Sequence, residues 1–293
     1  MVDRYLVIGG GCAGTAAIRA IRRQYSRRFD EVHIIATTKN GREVDGANAV
    51  LPLQLHDGNI ELDDWLKPLM FHRPYKATFI TPAYGRVGIP ISSATEGEKR
   101  EAFNYSVRPM LRLEAAGGFG KLVVFSTFHW QRFIEQTYGA VGYSKREQLE
   151  PLCRQNPGQR QLVRFGAIES PSLRGIAMAA MLLIKNGKLA YADFLKLLTL
   201  VPNAQGMSIP QAMFEQIRAE ERQLYQVERN TTPQDLEEAL LDWLQHPVHK
   251  TLNVMGNLRW YGDERIPEER ILPRCVELHR RFCPTLWDMP IAV

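Results

Sequence analysis

Tyr5-Leu6-Val7-Ile8-Gly9-Gly10-Gly11-Cys12-Ala13-Gly14 is the stretch on which the fold turns. Four apolar residues in a row, ended by glycines, fit a strand buried on both faces, as in a parallel sheet. Ala13 to Tyr25 then reads as a helix, with Ala16, Ala17, Ala20 and Ile21 on one side and Arg19, Arg22 and Arg23 on the other. Between strand and helix, Gly9, Gly11 and Gly14 keep the GxGxxG spacing. Turns without side chains let the backbone approach a pyrophosphate, which then sits at the helix N-terminus. Cys12 and Ala13 join the three glycines as candidate phosphate contacts. The spacing is informative only because it follows a strand and opens a helix. The competing reading is a tight turn that holds no ligand.

The same alternation continues outward. Strands are expected at Val32–Ala36, Val50–Leu55, Ala77–Thr81, Lys121–Ser126, Leu162–Ala167 and Thr251–Val254. Helices are expected at Leu62–Phe71, Phe103–Ala116 (with Pro109 inside), Tyr143–Leu152, Arg174–Lys185, Tyr191–Leu200, Pro210–Arg229 and Pro233–Gln245. Strand and helix in turn imply crossover units and a mostly parallel sheet. The expected fold class is α/β, a doubly wound Rossmann fold with a seven-stranded sheet. One dinucleotide-binding domain is expected over 1–262. Residues 263–293 read as a C-terminal tail that packs on the domain or on a partner subunit.

The composition agrees with such a domain. The chain has 293 residues, 45% hydrophobic and 24% charged, which excludes a disordered, collagen-like or disulfide-stapled class. Lys and Arg number 37 against 32 Asp and Glu, a net charge of +5. That excess is small for a nucleic-acid binder, and none is expected. Cys12, Cys153, Cys275 and Cys283 form no CxxC pair or regular framework, so a reducing cytoplasm is the natural setting. No leader pattern opens the sequence. The most apolar stretch, Gly175 to Ile184, is about half the ~20 residues that a membrane span needs. His246 and His249 flank Pro247 without an accompanying carboxylate or cysteine set, so no metal is expected.

The end of the second strand bears on which dinucleotide binds. NAD and FAD want a carboxylate there for the ribose hydroxyls. Here Ala36 is followed by Thr37-Thr38-Lys39-Asn40-Gly41-Arg42, with no carboxylate before Glu43. Hydroxyls at Thr37 and Thr38 with cations at Lys39 and Arg42 suit a 2′-phosphate. NADP(H) is favoured over NAD(H), and FAD is disfavoured. A solvated basic loop is the plainer alternative.

The fifth strand ends at Ser126-Thr127-Phe128, and Tyr138 and Lys145 follow, separated by six residues. At these residues the sequence resembles the short-chain dehydrogenase/reductase superfamily. Tyrosine, six residues, then lysine is similar to the enoyl-acyl carrier protein reductase branch; the commoner three-residue spacing would need a tyrosine at Val141. Asn104-Tyr105-Ser106 resembles that branch's tyrosine–serine pair. Phe128, ten before Tyr138, stands where the branch carries a second aromatic. Ser170-Pro171-Ser172-Leu173-Arg174 is similar to its proline-led nicotinamide loop. Thr232 to Leu236 and Thr251 to Gly256 resemble the last helix and strand. The resemblance covers about Tyr5 to Gly256.

It implies an oxidoreductase. Tyr138 would hydrogen-bond or protonate a carbonyl oxygen that gains charge. Lys145 would hold the nicotinamide ribose and lower the phenol pKa. Ser126 or Thr127 would supply a further hydroxyl, which Phe128 lacks. Ser170, Pro171 and Leu173, with Pro82 and Ala83 after the fourth strand, would flank the cofactor, and Asp57 would meet the adenine. Residues 186–230 would form a helical segment covering the active site, with Leu195, Leu198, Met207, Met213 and Phe214 as candidate lining. The implied substrate is a small molecule or acyl thioester, and the implied assembly a homodimer or homotetramer through the helices at Phe103–Ala116 and Tyr143–Leu152. Thr81-Pro82-Ala83-Tyr84-Gly85 departs from the superfamily's Asn-Ala-Gly, which keeps a non-catalytic NADP(H) sensor or scaffold open. A sugar-nucleotide epimerase or dehydratase is the third reading.

Overall fold

In β1 (Asp3–Ile8) alternate side chains serve two different cores. Tyr5 and Val7 join one cluster with Ala16, Ile21 and Trp243, while Leu6 and Ile8 join another with Leu66, Met110 and Leu149. This is the period-2 geometry of a strand, with helices over both faces. The computed structural model describes residues 2–53, 55, 64–129, 131–186 and 206–262.

The other strands are β2 (Val32–Thr38), β3 (Ala49–Pro52), β4 (Ala77–Ile80), β5 (Lys121–Ser126), β6 (Arg160–Phe165), β7 (Leu252–Met255) and β8 (Leu258–Tyr261). They form one sheet in the order β3-β2-β1-β4-β5-β6-β7-β8. Every neighbouring pair is parallel except β7 and β8. The order reverses between β1 and β4, the point where doubly wound sheets open a crevice at the strands' C-terminal ends.

The sheet has eight strands, one more than expected from the sequence. Leu258–Tyr261 turns back through Asn257 and pairs antiparallel with β7, a hairpin too short to stand out as a periodic run.

The helix α1 (Cys12–Gln24) packs with α10 (Pro233–Gln245) on one face. The opposite face carries α2 (Leu66–Met70), α4 (Arg108–Ala116) and α7 (Glu150–Gln155). The helix expected over Phe103–Ala116 is two helices, α3 (Glu96–Ser106) and α4, broken at Val107. Pro109 has no N–H for the carbonyl of Tyr105, so the ladder stops there. Thr95 opens α3 with a capping box to Glu98, ahead of the expected start.

The helix expected at Tyr143–Leu152 starts earlier and is segmented: α5 (Arg132–Thr137), α6 (Gly139–Tyr143), a π-type stretch at Ser144–Leu149, then α7. Pro151 lacks the N–H that the Glu147 carbonyl would take, which favours the wider winding. The covering helices are α8 (Pro171–Lys185) and α9 (Ile209–Tyr225). The expected helix at Tyr191–Leu200, the adenine candidate Asp57 and the tail 263–293 lie outside the described residues. No described helix is long and apolar enough to cross a membrane.

Candidate active site

The glycine turn lies at the C-terminal end of β1, on the crevice. Gly9 has φ +95°, a conformation that L side chains rarely adopt. A Cβ on Gly14 would stand 1.9 Å from the Gly9 carbonyl oxygen, so the helix can start this close to the strand only without one. Gly11 precedes the first helical residue, Cys12, and offers no side-chain cap to the helix's leading amides. The first turn holds no acidic residue either. Its N–H groups and the helix dipole suit an anion. Cys12 is half-buried and burial raises its thiol pKa, with Arg19 opposing, which is unlike a redox-activated cysteine.

Of the four candidates at the end of β2, which runs two residues further than expected and takes in Thr37 and Thr38, Thr37 has a structural partner. It is buried, and Gly9 N donates to its carbonyl (3.1 Å) and its Oγ1 (3.3 Å), which ties the turn to β2. Thr38 Oγ1 donates to the Arg42 carbonyl at 3.2 Å and so shapes the loop. Lys39 and Arg42 are exposed at the end of β2. After β4, Thr81 Oγ1 donates to the Ile8 carbonyl at 2.9 Å, Pro82 is half-buried and Ala83 is exposed. The chain beyond them runs to Tyr138: Gly88 N donates to Thr137 O, Gly139 N to Ile89 O and Ala140 N to Arg86 O.

A buried polar network occupies the C-terminal end of β5. Ser126 Oγ donates to Glu150 Oε1 at 2.7 Å and lies 3.0 Å from His129 Nε2. Arg164 of β6 donates to Glu150 Oε2 at 2.6 Å, and all four residues are buried. Burial alone would raise the Glu150 carboxyl, but Arg164, His129 and Ser126 together hold it below the ordinary range. Burial drives His129 down to about 3, so it is neutral. The ring of His129 meets Tyr138 edge-on, with centroids 6.4 Å apart.

Lys145 lies in the π-type stretch and is 5% exposed. Burial pushes its ammonium down to about 8, against the pull of Cys153 and Glu150. The Lys145 ammonium has no hydrogen bond or ion pair among the described residues. The buried hydroxyls of Ser106 on α3 and Ser144 beside Lys145 likewise have no partner there. Buried polar groups of this kind ask for a ligand or water. A pyridine nucleotide, with ribose hydroxyls for Lys145 and phosphates for the α1 amides, has the complementary chemistry.

Tyr138 packs against Phe133, Ile134, Ala167, Leu173, Ala177 and Ile217. Burial, then the charge of Glu221, pushes its phenol pKa up. Next to this cluster lies a cleft of about 280 Å³, walled by Phe133, Leu173, Ala177, Phe214 and Ile217, with Arg174 and Glu169 at its edge. α8 and α9 thus cover Tyr138. Ser170 Oγ accepts from Leu173 N at 3.3 Å, so Ser170 starts α8, Pro171 is its first residue, and buried Leu173 lines the cleft.

The structure brings Ser126 and Tyr138 around His129, with Lys145 in electrostatic reach. The Phe128 side chain belongs to a different apolar cluster. It is fully buried with Tyr225 and Trp260 at ring distances of 5.3 and 5.7 Å, because the end of α9 and strand β8 together offer it an aromatic socket. Sequence reading missed His129, Glu150, Arg164 and Glu221. Their signal is burial of charge or polarity, which a single sequence does not display. Among the described residues no group of three or more His, Cys, Asp or Glu is placed to hold a metal.

No protein-family model and no curated protein matches the sequence. Solved structures do match in shape. An enoyl-(acyl-carrier-protein) reductase from Anaplasma phagocytophilum, solved in complex with NAD, superposes with TM-score 0.57 at 12% identity, over 86% of this chain and 92% of that one. A reductase/Diels-Alderase from Malbranchea aurantiaca gives 0.55 at 17% identity, over 87% and 95%. A short-chain dehydrogenase family protein from Francisella tularensis gives 0.52 at 14%, over 84% and 92%. The chain has the fold of these proteins.

Proposed function

We propose that this chain is an NADPH-dependent short-chain reductase acting on an activated double bond or carbonyl, with an enoyl thioester as the leading substrate class. The observation that carries the reading is Lys145: a buried ammonium without a partner among the described residues, seven positions after Tyr138, on a fold whose glycine turn presents helix amides. A buried charge is costly unless something pairs with it, and a nucleotide ribose is a partner of the right polarity. The similar structures named above include a reductase bound to NAD.

Gly9, Gly11, Cys12, Ala13 and Gly14 would hold the pyrophosphate. Lys39 and Arg42, exposed after β2, would take the 2′-phosphate. Thr38 acts there through the loop it shapes. Pro82, Ala83, Ser170 and Leu173 would border the nicotinamide end. The bound nucleotide supplies a hydride. Tyr138, kept protonated by its buried setting, offers its hydroxyl hydrogen to the substrate oxygen that gains charge. Lys145 holds ribose hydroxyls and favours the phenolate that forms once the proton is given. The cleft between α8 and α9 excludes water and accepts an apolar group. A homodimer or homotetramer and a cytoplasmic setting go with this reading.

A second reading, an NADP(H)-binding sensor, draws on Ser126 and Phe128. Ser126 gives its proton to Glu150, and Phe128 is spent on packing, so neither offers a second donor to a substrate.

Fluorescence titration separates the outcomes. NADPH is expected to bind more tightly than NADH, and Arg42→Ala to remove about tenfold of NADPH affinity while leaving NADH unchanged. Equal losses would sink the 2′-phosphate assignment. On a panel of enoyl and keto thioesters, Tyr138→Phe is expected to lower turnover at least about a hundredfold. Binding of NADPH with no turnover on that panel would favour the sensor.

A further inference from the structure

We infer that Glu221, on the covering helix α9, is a positioning residue of this site: its carboxyl docks the helix on the loop after β6 and controls the charge facing Tyr138. The inference rests on the reductase reading for what Tyr138 does, and on geometry alone for the docking.

Glu221 has no exposed surface. Its Oε1 accepts from Ala167 N at 2.6 Å, in the loop that leaves the C-terminal end of β6. Its Oε2 is buried without a hydrogen-bond partner. The neighbouring Glu220 accepts from Phe133 N at 3.4 Å, after β5. Consecutive carboxyls of α9 thus reach the first turn of α5, after β5, and the loop after β6. Ala167, Phe133 and Tyr138 all belong to one apolar cluster with Ile217 of α9. Docking of α9 and the surroundings of Tyr138 are therefore one event.

The charge state of Glu221 matters at both ends. Among the described residues the groups that face it are the Tyr138 phenol between α5 and α6, the Gln131 amide before α5, the Ala167 amide after β6, and Glu220 and Arg218 on its own helix. Thr231 borders Gly166 together with Glu221, its hydroxyl accepting from Gly256 N at 2.9 Å. Among the described residues no cation contacts Oε2, so an ionised Glu221 would be a buried charge held by amides, with Arg218 as its nearest named cation. Burial raises its pKa to about 8, opposed by Ala167 and Gln131. Below that point the carboxyl is neutral, α9 stays docked, and Tyr138 feels no added negative charge. Above it the carboxylate seeks water, which loosens α9, and its charge binds the phenol proton more tightly.

The test compares wild type with Glu221→Gln and Glu221→Leu, read first by amide hydrogen exchange of Ala167 and of residues 209–225. Rates are corrected for intrinsic exchange at about pH 6.5 and about pH 9.5, on either side of the expected transition. Wild type is expected to lose about tenfold of protection at the higher pH. Glu221→Gln keeps an acceptor for Ala167 N and cannot ionise, so its protection should not change with pH. Glu221→Leu should lose the Ala167 protection at both values. With NADPH and crotonyl-CoA as the probe, Glu221→Leu should raise KM about tenfold with the NADPH Kd unchanged, and Glu221→Gln should extend the alkaline limb of kcat/KM. A Glu221→Gln protein whose exchange still depends on pH as in wild type, or a Glu221→Leu protein that keeps Ala167 protected, overturns the inference. Failure of wild type to bind NADPH overturns the reductase reading instead, and the exchange data still decide the docking.

Discussion

Lys145 sets function against stability at a single atom. Its ammonium is driven down to about 8 by burial. Below that value it is protonated in both folded and unfolded chains, and only the folded chain bears the cost of burying it. As pH rises from 8 toward the ordinary lysine range, the folded state sheds the proton first and the cost fades. Lys145→Met should therefore raise Tm at about pH 7, with the gain shrinking toward pH 10. The same variant should show a smaller rise in Tm with NADPH than wild type does. Thermal melts with and without nucleotide check both halves; a Lys145→Met protein that NADPH stabilises as much as wild type would remove the ribose assignment.

The glycine turn and the segmented helix show how elements aim the site. Gly14 lets α1 begin against the Gly9 carbonyl, so its leading amides sit at the mouth of the crevice. Gly14→Ala places a methyl 1.9 Å from that oxygen and must open the turn. Such overpacking costs about 1–3 kcal/mol, measurable as a lower urea midpoint, and the NADPH affinity should fall at least about tenfold. Unchanged binding would mean that the α1 amides do not hold phosphate. The Arg132–Gln155 run is not one cylinder. Its break at Tyr138 and its wider winding at Lys145 decide where those two side chains go, and counting α-helical turns does not predict it.

Across the whole molecule, the Glu150–Arg164 pair joins α7 to β6 in the buried interior at 2.6 Å. It also anchors Ser126, and through Ser126 the His129 ring beside Tyr138. Removing one partner strips a buried charge of its ion pair, typically a loss of about 3–5 kcal/mol. Glu150→Gln is expected to lie in that range by urea denaturation. Replacing both, as Glu150→Leu with Arg164→Met, should recover most of the stability. It should not recover activity, because Ser126 and His129 would lose their anchor. A double variant with wild-type turnover would reduce the network to packing.

Sequence alone determined the wound sheet. The strand Lys121–Ser126 and the helix Pro233–Gln245 fall where the pattern puts them, because hydrophobic period and turn chemistry are local. The basic loop at Lys39–Arg42 and the glycine turn are legible for the same reason. Tertiary structure decided the rest. Pro109 is compatible with a continuous pattern until its missing N–H splits α3 from α4, and β8 exists only because β7 is there to pair with it. Glu150, Arg164, His129 and Glu221 read as ordinary polar residues in the chain. They gain meaning when segments far apart in sequence bury them together, since burial is what makes a charge expensive and its partners consequential.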